Sequence, residues 1–368
     1  MSEKVDRFQV ASQWELMWWK FSRHKLALVS GIVVALIYLV ALVAEILAPT
    51  DPNRTVSRYT YAPPQGIHLF SRANDGSTTF MPHVYGYSSK VDPRTLRRTF
   101  ELDPKQTIPI GLFVRGQPYE LWGLIPLDRH LIGPLDEKQP MYLLGADRLG
   151  RDNLSRIIYG TRVSMSIGLV GVALSLIFGM VLGGVSGYYG GRIDWVIQRT
   201  TEFLRSMPTI PLWMGLAAAI PLTWPPLGTY FMITILLSLI GWTSLAREVR
   251  GKVMAQKNED FVIAARLDGV SQFSIITRQL LPAFASHIIA VTTLAIPEMI
   301  LAETALSFLG IGLQPPVVSG GVLLKEAQNI NTVATAPWLL FPGLAVVVAV
   351  LALNFLGDGL RDAADPYA

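Results

Sequence analysis

Residues 163–187 read VSMSIGLVGVALSLIFGMVLGGVSG, twenty-five positions without a charge. A bilayer core of about 30 Å is crossed by about 20 apolar residues rising 1.5 Å each, so this stretch is long enough to span. Within it Gly171, Ser175, Gly179, Gly183 and Gly187 recur at every fourth position. That spacing lays small side chains along one helix face, where a second backbone can approach closely. The glycines of 183–191 form no phosphate loop, and their reading is packing.

Five further stretches of the same kind lie outward from it, at 26–47, 203–222, 228–246, 283–303 and 337–357. Pro208, Pro211 and Pro221 interrupt the second of these, and only Trp224-Pro225-Pro226 separates it from the next. Proline is tolerated in spanning helices whose neighbours satisfy the freed carbonyls, so a hairpin of two spans is expected there. The expected architecture is an all-α polytopic membrane protein with six transmembrane helices.

Composition agrees. Over 368 residues, 51% are hydrophobic and the mean hydropathy is +0.39, too apolar for an ordinary soluble domain. The net charge of +4 comes from residues lying between apolar runs, which excludes a nucleic-acid-binding face. With no cysteine, disulfides, thiolate metal sites and cysteine nucleophiles are excluded. Five histidines (His24, His68, His83, His130, His287) show no ligand spacing, so no metal site is expected.

Charge also sets orientation. Lys and Arg number five before the first stretch, three in 188–206, six in 247–282 and one after 358, while Lys325 stands alone in 304–336. The fifteen in 48–162 fall in a loop too long to be governed by the positive-inside rule. Both termini are therefore expected in the cytoplasm. Before the first helix, Trp14, Met17, Trp18 and Phe21 repeat at i, i+3, i+4, i+7 beside Lys20, Arg23 and Lys25. This pattern predicts an interfacial elbow helix within 1–25 that leads into an uncleaved span at 26–47.

Residues 48–160 make an extracytoplasmic insert too long for a structureless loop. The runs 108–114 and 119–124 flank Gly116-Gln117-Pro118 and predict a hairpin, so a small external α/β or β subdomain is expected. The core follows at 161–358 with five spans, then a cytoplasmic tail at 359–368.

The cytoplasmic segment 257–282, KNEDFVIAARLDGVSQFSIITRQLLP, carries the most function. Phe261, Val262, Ala265 and Leu267 favour a helix, Asp268-Gly269 stops it, Ser271 caps the next, and Pro282 marks entry into the following span. Exposed Ala264 and Ala265 beside charges suit docking in a groove of another protein. The plain alternative, a solvated connection, would not need two alanines and a glycine at this spacing.

Ile263-Ala264-Ala265, then Gly269, then Leu281-Pro282, resembles the EAA loop of ABC importer permeases. Three more stretches are similar to the dipeptide/oligopeptide/nickel permease family, in its C-type member: LGADRLGRD at 144–152 with LSRIIYGTRVS after it, ETALSFLGIG at 303–312, and LGDGLRD at 356–362 with Asp365-Pro366. Ile263 stands where the family pattern has Glu, with Glu259 and Asp260 one turn earlier, and Gln279 stands where it has Ile. The insert resembles the longer variants of the family.

The resemblance implies a type I ABC importer (MetI-like) fold in the bacterial inner membrane, working by alternating access. It implies a second homologous permease subunit, two ATPase subunits that bind ATP and Mg, and an extracytoplasmic substrate-binding protein. It also implies ATPase coupling through Glu259, Asp260, Ile263, Ala264, Ala265, Gly269 and Pro282. Peptides are the expected cargo, with oligosaccharides or another small solute as the alternative.

The chain itself lacks a Walker A loop, since Gly251-Lys252 is followed by Val253 and preceded by Ala246 at the first glycine position. It is expected to be a transport subunit without catalytic residues or its own cofactor. Gly145, Asp147, Arg148, Gly150, Arg151 and Asp152 combine backbone freedom with both charge signs and are read as an external gating loop, a structural turn being the alternative. Glu45 is read as interfacial. Glu298, Glu303 and Ser307, with Thr292 and Thr293, are candidates for the translocation path, against helix-end solvation. An ion-gradient-driven secondary transporter is the competing class; it would call for internal repeats, broken helices at the midplane and more buried charges, and the helix-turn-helix loop argues against it. A polytopic enzyme lacks any nucleophile-base or metal constellation.

Overall fold

The computed structural model describes residues 13–72, 78–91, 93, 98–221 and 223–364. Residues 1–12 of the expected elbow segment, the side chain of Trp14, Leu222 and Asp365-Pro366 lie outside the described residues. The chain divides into two units, Met1–Leu36 with Ser166–Leu306 and Val348–Ala368, and Ile37–Met165 with Ser307–Val347.

The helices are α1 (Gln13–Arg23), α2 (Lys25–Leu42), α3 (Asn153–Tyr189), α4 (Gly191–Ser206), α5 (Thr209–Ala218), α6 (Pro226–Gln256), α7 (Asp260–Leu267), α8 (Ala285–Phe308), α9 (Gly320–Glu326) and α10 (Phe341–Ala364), with shorter turns between them. Among the described residues five helical segments are long and apolar enough to cross a membrane: α2, α3, α6, α8 and the segment ending in α10. The expected span at 203–222 is not one of them. Met207 is extended at ψ 140° before Pro208, so α4 stops and α5 restarts as a ten-residue helix. Proline forces its predecessor out of helical geometry, and ten residues reach only about 15 Å.

In the first unit the small-residue stripe of α3 lies against α6 and α8. A Cβ at Gly179 would stand 2.7 Å from the Leu245 Cβ, and one at Gly187 would stand 2.8 Å from the Arg250 carbonyl oxygen. Ser175 Oγ donates to the Ser238 carbonyl at 3.2 Å, and Ser238 Oγ donates to the Gly171 carbonyl at 2.9 Å. The stripe therefore brings two backbones together and ties them with hydroxyls. At the termini, Phe21 of α1 packs with Ala27 and Ala363, while Trp18 stays exposed.

The second unit holds an antiparallel meander in the order β1 (His68–Arg72), β2 (Thr78–Val91), β3 (Arg98–Leu121) and β4 (Ile125–Pro134). The β content follows the sequence, but the hairpin predicted around Gly116-Gln117-Pro118 does not. β3 runs through those residues, a bulge between Arg115 and Tyr119 absorbs them, and the chain reverses at 122–124 instead. A bulge accepts a proline that cannot donate to the ladder. Pro104 sits at the other irregularity, where Tyr85 pairs with Thr107 but Gly86 pairs with Asp103. Val84, Ile108, Ile110 and Met141 form the core beneath the sheet. Gln65 fastens it to the chain before α3, donating to the Tyr85 carbonyl at 2.7 Å and accepting from the Tyr142 amide at 2.6 Å.

Candidate functional site

The loop after α6 is a helix, a turn and a second helical segment. Asp260–Leu267 forms α7, and the Val270 amide reaches the Ala265 carbonyl at 3.0 Å while the Gly269 amide reaches that of Arg266 at 3.1 Å. These two bonds with Gly269 at φ +75° are a Schellman stop, which satisfies carbonyls the helix would leave open. Ser271 Oγ then accepts from the Ser274 amide at 3.3 Å and caps the next segment, which passes through a π turn, Ile276–Leu280, into Pro282.

Val262, Ala265, Ile275, Ile276 and Leu280 pack with Tyr188, Val249 and Val253 on the ends of α3 and α6. Arg266 locks the arrangement, with its guanidinium 5.2 Å from the Tyr188 ring centre and its Nη2 donating to the Lys257 carbonyl at 3.2 Å. Ala265 is thus 5% exposed, which corrects the expectation that both alanines face outward. Alanine suits either face of an amphipathic helix, and here the register turns position 265 toward the core. What remains exposed is Ala264 together with Phe261, Ile263, Leu267 and Phe273, the last two at 83% and 76%. Glu259 and Asp260 are exposed at the start of α7. Gln279 Oε1, at the second departure from the loop pattern, is buried without a hydrogen-bond partner among the described residues.

Also in the first unit, a cavity of about 340 Å³ is lined by α5, α6, α8 and α10, with Trp213, Glu248, His287, Glu298 and Arg361 among its walls. His287 Nε2 stands 3.4 Å from Glu248. Of the three path candidates Glu298 alone is brought to this cavity. Glu303 is fully buried, and buried Ser307 accepts the Leu313 amide at 3.0 Å, closing the turn after α8.

In the second unit, 145–152 is a turn with its charges inside. Asp147, 1% exposed, accepts from the amides of Leu149 and Arg151 at 2.8 and 2.9 Å, from Arg151 Nε at 2.6 Å, and from Arg156 Nη1. Glu326 at the end of α9 completes the network, 2.8 Å from Arg151 and 3.1 Å from Arg156. Asp152 caps α3 through the Ser155 amide and hydroxyl at 2.8 and 2.6 Å, while its Oδ1 has no partner among the described residues. Burial pushes its carboxyl up to about 6. Gly150 sits at φ +71°, where a Cβ would collide with the Val56 carbonyl, and Trp338 lies over Gly145. Only Arg148 presents its charge to the outside, 59% exposed.

Sequence reasoning missed Arg156 and Glu326. A signal existed for the first, an arginine one turn into a helix that begins before its apolar run. Glu326 had none. Arg162 was missed in the same way: its Nη1 donates to Glu45 at 2.5 Å and its Nε to the Ala41 carbonyl at 2.6 Å. Among the described residues no cluster of His, Asp and Glu could hold a metal.

Several apolar helices with small-residue packing, and a helix-turn between two of them that leaves apolar groups exposed, are the features of a multi-pass membrane protein. The model of the binding-protein-dependent transport system inner membrane component matches residues 176–367, and that of the N-terminal TM domain of oligopeptide transport permease C matches 12–64. The chain belongs to this family of inner membrane permeases, in the C-type branch that includes the dipeptide and oligopeptide permeases. It is 39% identical over 224 residues, 60% of this chain and 68% of the relative, to the dipeptide transport system permease protein DppC of Bacillus subtilis. It is 35% identical over 240 residues to the oligopeptide transport system permease protein OppC of Haemophilus influenzae, covering 65% of this chain and 75% of the relative. The glutathione transport system permease protein GsiD of Pectobacterium atrosepticum is 35% identical over 250 residues, 68% of this chain and 79% of the relative. An inward-facing structure of the MetNI methionine ABC transporter aligns with 58% of this chain and 97% of its own at 16% identity, with a TM-score of 0.46, too loose to carry an argument. All four strands fall between the two ranges matched by the family models.

Proposed function

We propose that this chain is one of two permease subunits of a peptide importer, driven by two ATPase subunits that bind ATP and Mg and fed by an extracytoplasmic substrate-binding protein. The observation that carries the reading is the exposed apolar surface of Phe261, Ile263, Leu267 and Phe273, held rigid by a capped turn on the ends of two spanning helices. Apolar groups projecting from a polar loop mark a contact surface. The names of the relatives support the peptide cargo, the resemblance of 257–282 to the EAA loop supports the ATPase partners, and the distribution of Lys and Arg supports a cytoplasmic position for 257–282.

In this mechanism, closure of the ATPases moves the loop as a rigid body, and the spans attached to it reorient the path between the two faces. The cavity that holds Glu298, Glu248 and His287 is the proposed part of that path, because membrane-embedded charge is costly unless it meets water or cargo.

The test is ATPase activity of the reconstituted complex with and without peptide-loaded binding protein. Leu267→Asp and Phe273→Asp should abolish stimulation and uptake without changing thermal stability. Full stimulation and uptake in both would remove the loop from the coupling path. Uptake that collapses with an ion gradient while ATP is present would favour the secondary-transporter class. Because the chain has no cysteine, Asn258→Cys and Ser271→Cys should label from the cytoplasmic side and Ser89→Cys from the other.

A further inference from the structure

We infer that the tip of the β3–β4 hairpin, residues 121–125, is a lipid-binding element that seats Trp122, Leu124 and Ile125 in the interfacial layer of the bilayer at the C-terminal end of α2. The inference rests on α2 crossing the membrane and is independent of which face its end reaches.

The tip has the wrong chemistry for a water-exposed turn. Tight turns favour Gly, Asn, Asp and Ser, yet between Glu120 and Asp128 the chain reads LWGLIPL. Trp122 is 51%, Leu124 78% and Ile125 47% exposed. Trp122 adopts φ +55° with Gly123 at +70°. That left-handed pair reverses the chain and leaves Leu124 largely exposed and Trp122 and Ile125 about half exposed.

Its height is fixed at two levels. At the first, His130 Nδ1 donates to the Ala48 carbonyl at 2.6 Å, and the Asp51 amide donates to Gln117 Oε1 at 3.3 Å. At the second, Trp122 Nε1 donates to the Leu42 carbonyl at 2.7 Å, and its amide donates to Glu45 at 3.3 Å. Passing along the hairpin from Gln117 to Trp122 is therefore passing from Asp51 back to Leu42, the last residue of the apolar helix α2. The hairpin tip therefore stands at the level of Leu42, with Leu124 in the same turn as Trp122. Arg162 joins Glu45 and the Ala41 carbonyl at the same level, the polar company expected where hydrocarbon ends. An indole with its N–H bonded and its ring exposed at a span's end is the side chain that settles in this layer.

The same hairpin supplies a control. Leu112 is 71% exposed, as Leu124 is, but it pairs with Ile132 toward the opposite end of the ladder. At about 3.3 Å per residue it stands some 25–30 Å from the tip along the strand.

The experiment uses the full-length chain, which has no native cysteine. Leu124→Cys, Leu112→Cys and Leu36→Cys are each labelled with bimane in vesicles of phosphatidylethanolamine and phosphatidylglycerol carrying nitroxide phospholipids. Position 36, on α2, should be quenched by a nitroxide deep in the acyl chains, which checks the span itself. Position 124 should be quenched by a shallow nitroxide severalfold more than position 112, and by aqueous iodide severalfold less. Failure at position 36 would overturn the span on which the inference stands. With position 36 quenched, equal iodide access at 124 and 112 would place the tip in water, and protection of 124 from both quenchers would place it under protein. Either result overturns lipid binding.

Discussion

The turn at 145–152 has 4 charged residues in 8 and the loop at 257–282 has 6 in 26, and the two use them in opposite ways. The turn folds Asp147, Arg151 and Arg156 inward onto Glu326 and shows water little but Arg148. The loop buries its apolar half beside Val249 and Val253 and shows water the other apolar half, Leu267 and Phe273. The motif rich in charge turns its charges on one another, and the motif poor in charge leaves large apolar groups exposed. Charges within reach of one another satisfy themselves when the chain brings them together, whereas a group of large apolar side chains exposed on one loop finds no cover within the chain.

The comparison breaks most sharply at Asp147. Asp147→Ala removes acceptors from two arginines buried to 6% and 1% of their side-chain surface. The two cations are then left to share Glu326, and a buried charge that loses a partner costs up to about 3–5 kcal/mol. Its melting temperature in detergent should fall steeply, whereas Leu267→Asp should leave melting nearly unchanged. Lost uptake at unchanged melting would return the turn to the role of a gating surface.

A smaller effect separates the two oxygens of Asp152. Its carboxyl sits at about 6 in the fold against 3.8 for the free group. The folded state therefore holds the proton more tightly than the unfolded chain between pH 4 and 6, and this group's contribution to stability falls as pH rises through that window. Asp152→Asn keeps the cap on Ser155 and should remove up to about 3 kcal/mol of pH-dependent stability. Melting curves from pH 4 to 7 with the same slope in both proteins would refute the assignment.

The smallest change is in the loop. Gly269 occupies open space, so Gly269→Val meets no clash and suffers only the left-handed strain of about 1–2 kcal/mol. Gly269→Asn, which tolerates that conformation, should retain most of the ATPase stimulation that the valine variant loses. Equal loss in both would mean that the surface at 269, and not the turn, is what matters. Ala265→Asp cannot serve this purpose, because it charges the loop's own core.

How much of this was legible depends on range. The spans could be read because lipid demands an unbroken apolar run, and the stop at Asp268-Gly269 and the Ser271 cap could be read because each acts within four residues. The stretch at 203–222 is broken at Pro208, where composition stays apolar but the backbone does not stay helical. The hairpin turn was placed at 116–118 because a bulge and a turn use the same residues. Glu326, the second partner of Arg151, lies 175 positions away, and no periodicity points to it. Glu303 and Ser307 lie one helical turn apart at the end of one span, and their burial is set by neighbours that no periodicity names.

The sheet ends in two strands that a passing chain could try to extend. β1 offers five residues, too few for a lasting partner, and β4 is interrupted by Pro126 near one end and Pro134 at the other, with Asp128 and Arg129 between. Short, charged and proline-bearing edges discourage strand addition. Copies of this chain crowded in one membrane are thereby kept from zipping together through their inserts, and assembly is left to surfaces that choose their partners.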